Sequence, residues 1–200
     1  MRRRDFLKEI GGSAVLLAMA RAEQLLPPEE PVVAVFEGTV VLGNPTERSI
    51  TLNVLTSDPL EAFVEYGTHS GVYPEQTLSA PLEPAVPIEY TVMELQPDTR
   101  YYYRMRFRKP GEQAFKAGPV WTFHTQRAPG STFSFGVQGD SHPERHNNAF
   151  DQMLYERTLH SVLSDQPDFY IMMGDDFSVD TIKPDVINAD LVADRYLLQR

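Results

Sequence analysis

The 200-residue chain carries 18 Lys and Arg against 28 Asp and Glu, a formal net charge of −10, and no cysteine. The acidic balance disfavours a nucleic-acid backbone as partner, because phosphate contacts need a Lys/Arg surface. It leaves a small phosphorylated substrate open, since bound cations can supply positive charge. Without cysteine, disulfides, zinc–thiolate sites and thiol nucleophiles are excluded.

Residues 1–22 concentrate basic charge in Arg2, Arg3, Arg4, Lys8 and Arg21, against Asp5 and Glu9. Beyond them thirteen basic residues face twenty-six acidic ones, a net charge near −13. Ile10 to Ala20 is a short, mostly apolar run, with small-x-small cleavage sites at its end, Ala18-Met19-Ala20 or Ala20-Arg21-Ala22. This is the pattern of a removable secretory signal. The run is too short to span a bilayer, and nothing after residue 22 is long and apolar enough to do so. Arg3-Arg4-Asp5-Phe6-Leu7-Lys8 resembles the twin-arginine consensus R-R-x-F-L-K, with an ordinary secretory signal as the alternative. The resemblance implies recognition by the twin-arginine export machinery and a periplasmic or extracellular destination in a bacterium. It also hints at a metal, because that route carries folded proteins, often with a cofactor already loaded.

Residues 23–30, rich in Pro and Glu, are expected to form a linker. From 31 to 127 the pattern is one of strands. Ile50, Leu52 and Val54 alternate with polar residues, as do Ala62, Val64 and Tyr66, and then Tyr101, Tyr103, Met105 and Phe107. A period of two marks half-buried strands. Asn44-Pro45, Asp58-Pro59, Gly67, Ser70-Gly71 and Pro97-Asp98 punctuate them, which predicts an all-β sandwich. Leu95-Gln96-Pro97-Asp98-Thr99-Arg100-Tyr101 resembles the L-x-P-x-T-x-Y corner of fibronectin type III domains, where a Tyr hydroxyl bonds back to the chain. Val64-Glu65-Tyr66-Gly67-Thr68 and Trp121-Thr122-Phe123-His124-Thr125 are similar to that family as well. Such a domain implies a spacer or binding module. His69 and His124 are expected on its surface, without a role.

A second linker at 128–132 precedes a change of pattern. Phe133 to Gly139 is a strand candidate, and Asn147 to Ser164 a helix. Asn147 or Asn148 would cap that helix, and Phe150, Met153, Leu154, Leu159, Val162 and Leu163 would form its apolar face. Pro167 stops it, Asp168 to Met173 forms another strand, and Asp185 to Arg200 another helix. Strand–helix–strand–helix over 133–200 predicts a βαβα unit with parallel strands.

Gly139-Asp140-Ser141-His142 follows the first of these strands and Gly174-Asp175-Asp176 the second. Ligands in α/β units gather at these carboxyl ends. Parallel neighbours lie about 4.8 Å apart, so Asp140, His142 and Asp175 can converge, with Gly139 and Gly174 allowing sharp turns. Two carboxylates and an imidazole suit a divalent transition metal such as Mn, Fe or Zn. Asp176 is a lesser candidate, behind the ligands or simply solvated. His146, His160 and Asp180 are expected to be solvated or capping. Taken singly, Asp140, His142 and Asp175 read better as turn, loop and cap residues; their joint placement favours metal.

These residues resemble the calcineurin-like metallophosphoesterases, which include the purple acid phosphatases and whose first motifs are D-x-H and G-D-x-x on successive βα loops. The resemblance implies two Fe, Mn or Zn ions and a phosphorylated small-molecule substrate. It makes Asp140 and His142 ligands of the first ion, and Asp175 the carboxylate bridging both. A fibronectin-like domain before the catalytic one is similar to the purple acid phosphatase arrangement. Ser178 stands where those enzymes have the tyrosine that gives their colour, so a more general metallophosphoesterase is implied. The later motifs G-N-H-[DE] and G-H-x-H do not occur in the chain. Residues 133–200 are also few for an α/β domain covered on both faces, so an incomplete catalytic domain, inactive alone, is expected. The alternative function is a non-catalytic cell-surface binding module with a degenerate metallophosphoesterase remnant.

Overall fold

The structure, a computed structural model, describes residues 33–146, 151–180 and 182–200. The expected signal and first linker, residues 1–30, lie outside the described residues, as do Asn147, Asn148 and Phe150.

The alternating segments form two antiparallel sheets. One holds β1 (Gly38–Gly43), β2 (Ile50–Thr56) and β6 (Ile88–Val92), in the order β1-β2-β6. The other is built on β3 (Leu60–Gly67) and β7 (Arg100–Arg108). The short strands β4 (Glu75–Gln76) and β5 (Ala80–Leu82) pair with β3, while β8 (Lys116–Ala117) and β9 (Trp121–His124) pair with β7. Period-two side chains from both sheets meet between them. Leu52, Val54, Ala62, Val64 and Met105 are fully buried, joined by Leu82, Tyr90, Val92, Tyr101, Tyr103, Phe107 and Phe123. Each large apolar side chain so buried contributes about 1.5–3 kcal/mol.

The opposite face of β7 is charged. Arg104 and Arg106 both bond Glu65, and Arg108 bonds Glu61, across the β3–β7 register. At the predicted corner the Gln96 N–H donates to the Tyr101 hydroxyl at 2.9 Å, which ties the entry of β7 to the chain before it. His69 is exposed, as expected. His124 is instead half-buried at the end of β9, its Nδ1 2.7 Å from the Thr125 carbonyl oxygen.

Beyond the sandwich, β10 (Phe135–Gln138) and β11 (Phe169–Met172) pair in parallel, from Phe135 opposite Phe169 to Gln138 opposite Met172. Both are shorter than the sequence predicts. The helix between them, α1, spans Gln152–Ser164, and Asp151 caps it by accepting the Leu154 N–H at 2.7 Å. Its inner face is Leu154, Tyr155, Leu159 and Val162; Met153 and Leu163, assigned to that face from the sequence, are exposed. Gly136 is where helix and sheet come closest. A Cβ there would sit 2.6 Å from the Tyr170 ring and 3.1 Å from Val162 Cγ1.

The last helix, α2, begins later than expected, at Ala189–Leu197. Pro184–Val186 makes a separate 3-10 turn, and Asn188 caps α2 through the Leu191 N–H at 2.9 Å. Among the described residues no helix is long and apolar enough to cross a membrane.

Candidate functional site

Where β10 and β11 end, their parallel pairing continues into the two acidic loops. The Met173 N–H donates to Gln138 O at 2.8 Å, and the Asp140 N–H to Gly174 O at 3.4 Å. The His142 N–H reaches Asp176 O at 3.1 Å. The backbones of the D-S-H and G-D-D segments therefore lie side by side. Ser141 Oγ also donates to Asp176 O, at 3.0 Å, and lies 3.0 Å from Gln199 Oε1. Gln199 Nε2 bonds the same Asp176 carbonyl from the end of α2.

The loops turn by an unexpected route. Gly174 has the positive φ expected of it, 99°, but Gly139 does not. The left-handed conformation falls instead on Asp140, His142 and Asp175, at φ values of 46°, 38° and 51°. Asp and His tolerate that region better than most residues, yet they occupy it at a cost. All three candidate ligands share this conformation.

Their side chains differ. Asp140 and Asp175 are exposed, while His142 is buried and turned inward, its Nδ1 3.3 Å from Glu144 Oε1. Glu144 Oε1 also accepts the Ser178 N–H at 3.0 Å. Burial raises the Glu144 carboxyl, but hydrogen bonds from Ser178, from its own N–H and from His142 outweigh it, so it lies below the usual carboxylate range. Asp176 is half-buried, and its Oδ1 has no hydrogen-bond partner among the described residues. Burial first, then the Asp176 charge, raises the Tyr170 hydroxyl above its ordinary value. The Tyr155 hydroxyl, raised mainly by burial, donates to Gln199 O at 3.1 Å. His146 and His160 are exposed; Asp180 is exposed and accepts from Ser178 Oγ.

The donor set suits a transition metal, since two carboxylates and an imidazole stand on adjoining loops. The His142–Glu144 contact is also the kind of carboxylate support that ligating histidines use. As placed, however, the side chains do not gather: among the described residues no group of three or more His, Asp or Glu is close enough to hold an ion. The pairing of the strands joins the loops through their backbones without closing the side chains on one point.

Ser141, Glu144 and Gln199 also belong to the site, beyond the candidates that the sequence offers. Ser141 and Glu144 stand inside D-S-H-P-E and could have been questioned there, because a carboxylate two residues past a candidate ligand can orient it. Gln199 carries no local signal. Its role depends on where α2 ends.

No protein-family model matches the chain, and a search of curated proteins gives no match. Among solved structures, one entitled Structure of PhoD is 16% identical, with 75% of this chain covered and a TM-score of 0.46. This chain spans 29% of the length of that one. A fibronectin type III domain of human collagen XX is 15% identical, covering 50% of this chain and all of its own, with a TM-score of 0.36. The fibronectin type III domain of human fibronectin type III domain containing protein 3 is 15% identical, covering 53% of this chain and 95% of its own, with a TM-score of 0.33.

Proposed function

We propose that the chain belongs to an exported, metal-dependent hydrolase of phosphoric esters, with Asp140, His142 and Asp175 as its share of a two-metal site. One observation carries this reading: the D-S-H and G-D-D loops are hydrogen-bonded side by side at the carboxyl ends of two parallel strands. That is where α/β units assemble reactive groups. Asp140 and His142 would hold the first ion and Asp175 would bridge to the second. Two ions there supply charge stabilisation to a phosphomonoester or phosphodiester and a water of lowered pKa. The Asp176 carbonyl oxygen, which accepts from the His142 N–H, Ser141 Oγ and Gln199 Nε2, supports the two loops from behind. The outer ends of Asp140 and Asp175 face solvent, so a substrate and ions can reach them.

Three ligands do not complete a two-metal site, so this reading gives the 200-residue chain metal binding without turnover. Zinc or manganese titration of the chain, with a p-nitrophenyl phosphate assay beside it, tests this. Asp175→Asn removes most of the binding, and Asp176→Asn weakens it only about ten- to a hundredfold, as supporting groups do. Unchanged binding in Asp175→Asn sinks the assignment. The export half rests on Arg3 and Arg4 in their consensus; changing both to Lys should strand the precursor in the cytoplasm on cell fractionation.

A second reading, a non-catalytic surface module, draws on the burial of His142 against Glu144 while Asp140 and Asp175 are exposed. Absence of any saturable metal binding by the wild-type chain would favour it.

A further inference from the structure

Beside the candidate ligands lies a buried carboxylate that the proposed chemistry does not use. The Glu144 side chain keeps only 3% of its exposure and that of His142 7%. A carboxylate is buried at a cost unless hydrogen bonds repay it. Glu144 Oε2 makes none among the described residues, so its hydrogen bonding passes through Oε1. For filling space alone, such a residue is a poor choice.

Two groups from other residues meet at Oε1, the Ser178 N–H at 3.0 Å and His142 Nδ1 at 3.3 Å. A backbone N–H can only donate, so Oε1 is an acceptor. An ionised carboxylate has no proton to give, so the imidazole nitrogen facing it is the protonated one. A neutral imidazole with its proton on Nδ1 carries its lone pair on Nε2. The backbone makes the contact possible. His142 is left-handed, and Pro143–Arg145 follows as a single 3-10 turn that brings Glu144 back beneath the ring. The turn is pinned from two sides: Arg195 Nη1 donates to Glu144 O at 3.3 Å, and Arg145 Nη2 to Ser178 Oγ at 3.1 Å.

We propose that Glu144 is the positioning residue of this site: it fixes His142 as the Nδ1–H tautomer, which puts the ring lone pair on Nε2, and clamps the loop after β11 through the Ser178 N–H. The use of Nε2 rests on the metal reading above; the tautomer and the clamp rest on geometry alone.

The test is long-range 1H–15N NMR of the imidazoles in the 15N-labelled 200-residue chain. It is run at about pH 8.5, two units above the ordinary imidazole value, with His142 assigned by His142→Gln. The wild type shows a protonated Nδ1 and an unprotonated Nε2. Glu144→Gln keeps that pattern, because its amide oxygen still accepts, whereas Glu144→Ala loses it. Zinc affinity, measured by chelator competition on the same samples, falls roughly ten- to a hundredfold in Glu144→Ala and less in Glu144→Gln. A wild-type Nε2–H tautomer overturns the proposal without any variant, which covers the case of a Glu144→Ala that does not fold. A tautomer and affinity both indifferent to Glu144→Ala overturn it too. If the tautomer follows Glu144 but no form binds zinc, the metal reading has failed and the positioning role stands.

Discussion

The sandwich and the α/β segment use the same kind of strand with opposite results. In the sandwich each alternating strand finds a second sheet, and Leu52, Val54, Val64 and Met105 lose all exposure. In the α/β segment, α1 covers one face of β10 and β11, at Gly136, Tyr170 and Val162. The other face is open: Phe133, Phe135 and Phe169 stack on one another, with Phe135 and Phe169 5.2 Å apart, and remain exposed with Val137, Ile171 and Met173. Among the described residues Tyr155 and Pro143 are the buried apolar side chains of this segment. Apolar periodicity therefore states what a strand could bury. A second layer decides whether it does.

A pair of truncations separates the two regions. Leu52→Ala opens a cavity in a closed core and should cost about 2–5 kcal/mol. Ile171→Ala, on the open face, should stay within about 0.5 kcal/mol, as exposed substitutions usually do. Urea denaturation of both variants measures it, and equal losses would erase the distinction between the regions.

A smaller effect probes the sandwich corner. Tyr101→Phe keeps the ring stacked against Phe123, 5.3 Å away, but removes the acceptor of the Gln96 N–H. The loss expected for one unpaired donor is about 1–3 kcal/mol. A neutral result would mean that water replaces the hydroxyl and that the corner is a sequence habit rather than a fastening.

The smallest effect lies where the regions meet. Burial pushes the Asp168 carboxyl up, but the Ser134 N–H and Arg127, 2.7 Å away, outweigh it and hold it below its ordinary 3.8. A depressed carboxyl stabilises the fold fully above its unfolded value, and that contribution is lost as pH falls through the lower folded value. The wild type should therefore weaken below about pH 4 more steeply than Asp168→Asn, followed by thermal melts across that range. Parallel curves would show that the ion pair is too solvated to matter.

Sandwich and site were legible to different degrees. The alternation of Tyr101, Tyr103, Met105 and Phe107 and the corner motif are local signals, and the burial of those residues follows them. The order of strand, helix and strand after Phe133 was legible as well. Helix starts were not, because Asp151 and Asn188 compete with nearby Asn and Asp residues of equal capping strength. Nor was the open face, since periodicity is silent about what covers a sheet. At the site, the ligand types and their loops could be read from D-S-H and G-D-D. The support could not: Glu144 meets Ser178 only because β10 and β11 pair in register, and Gln199 meets Asp176 only because α2 ends there.

Whether the two loops form one metal site is read out by manganese broadening of the chain's amide resonances. At substoichiometric Mn2+ the amides of residues 140–142 and 174–176 should broaden together and first, and Asp175→Asn should abolish the effect. Broadening confined to one loop, centred on other acidic residues, or absent altogether would mean that the two loops share no ion.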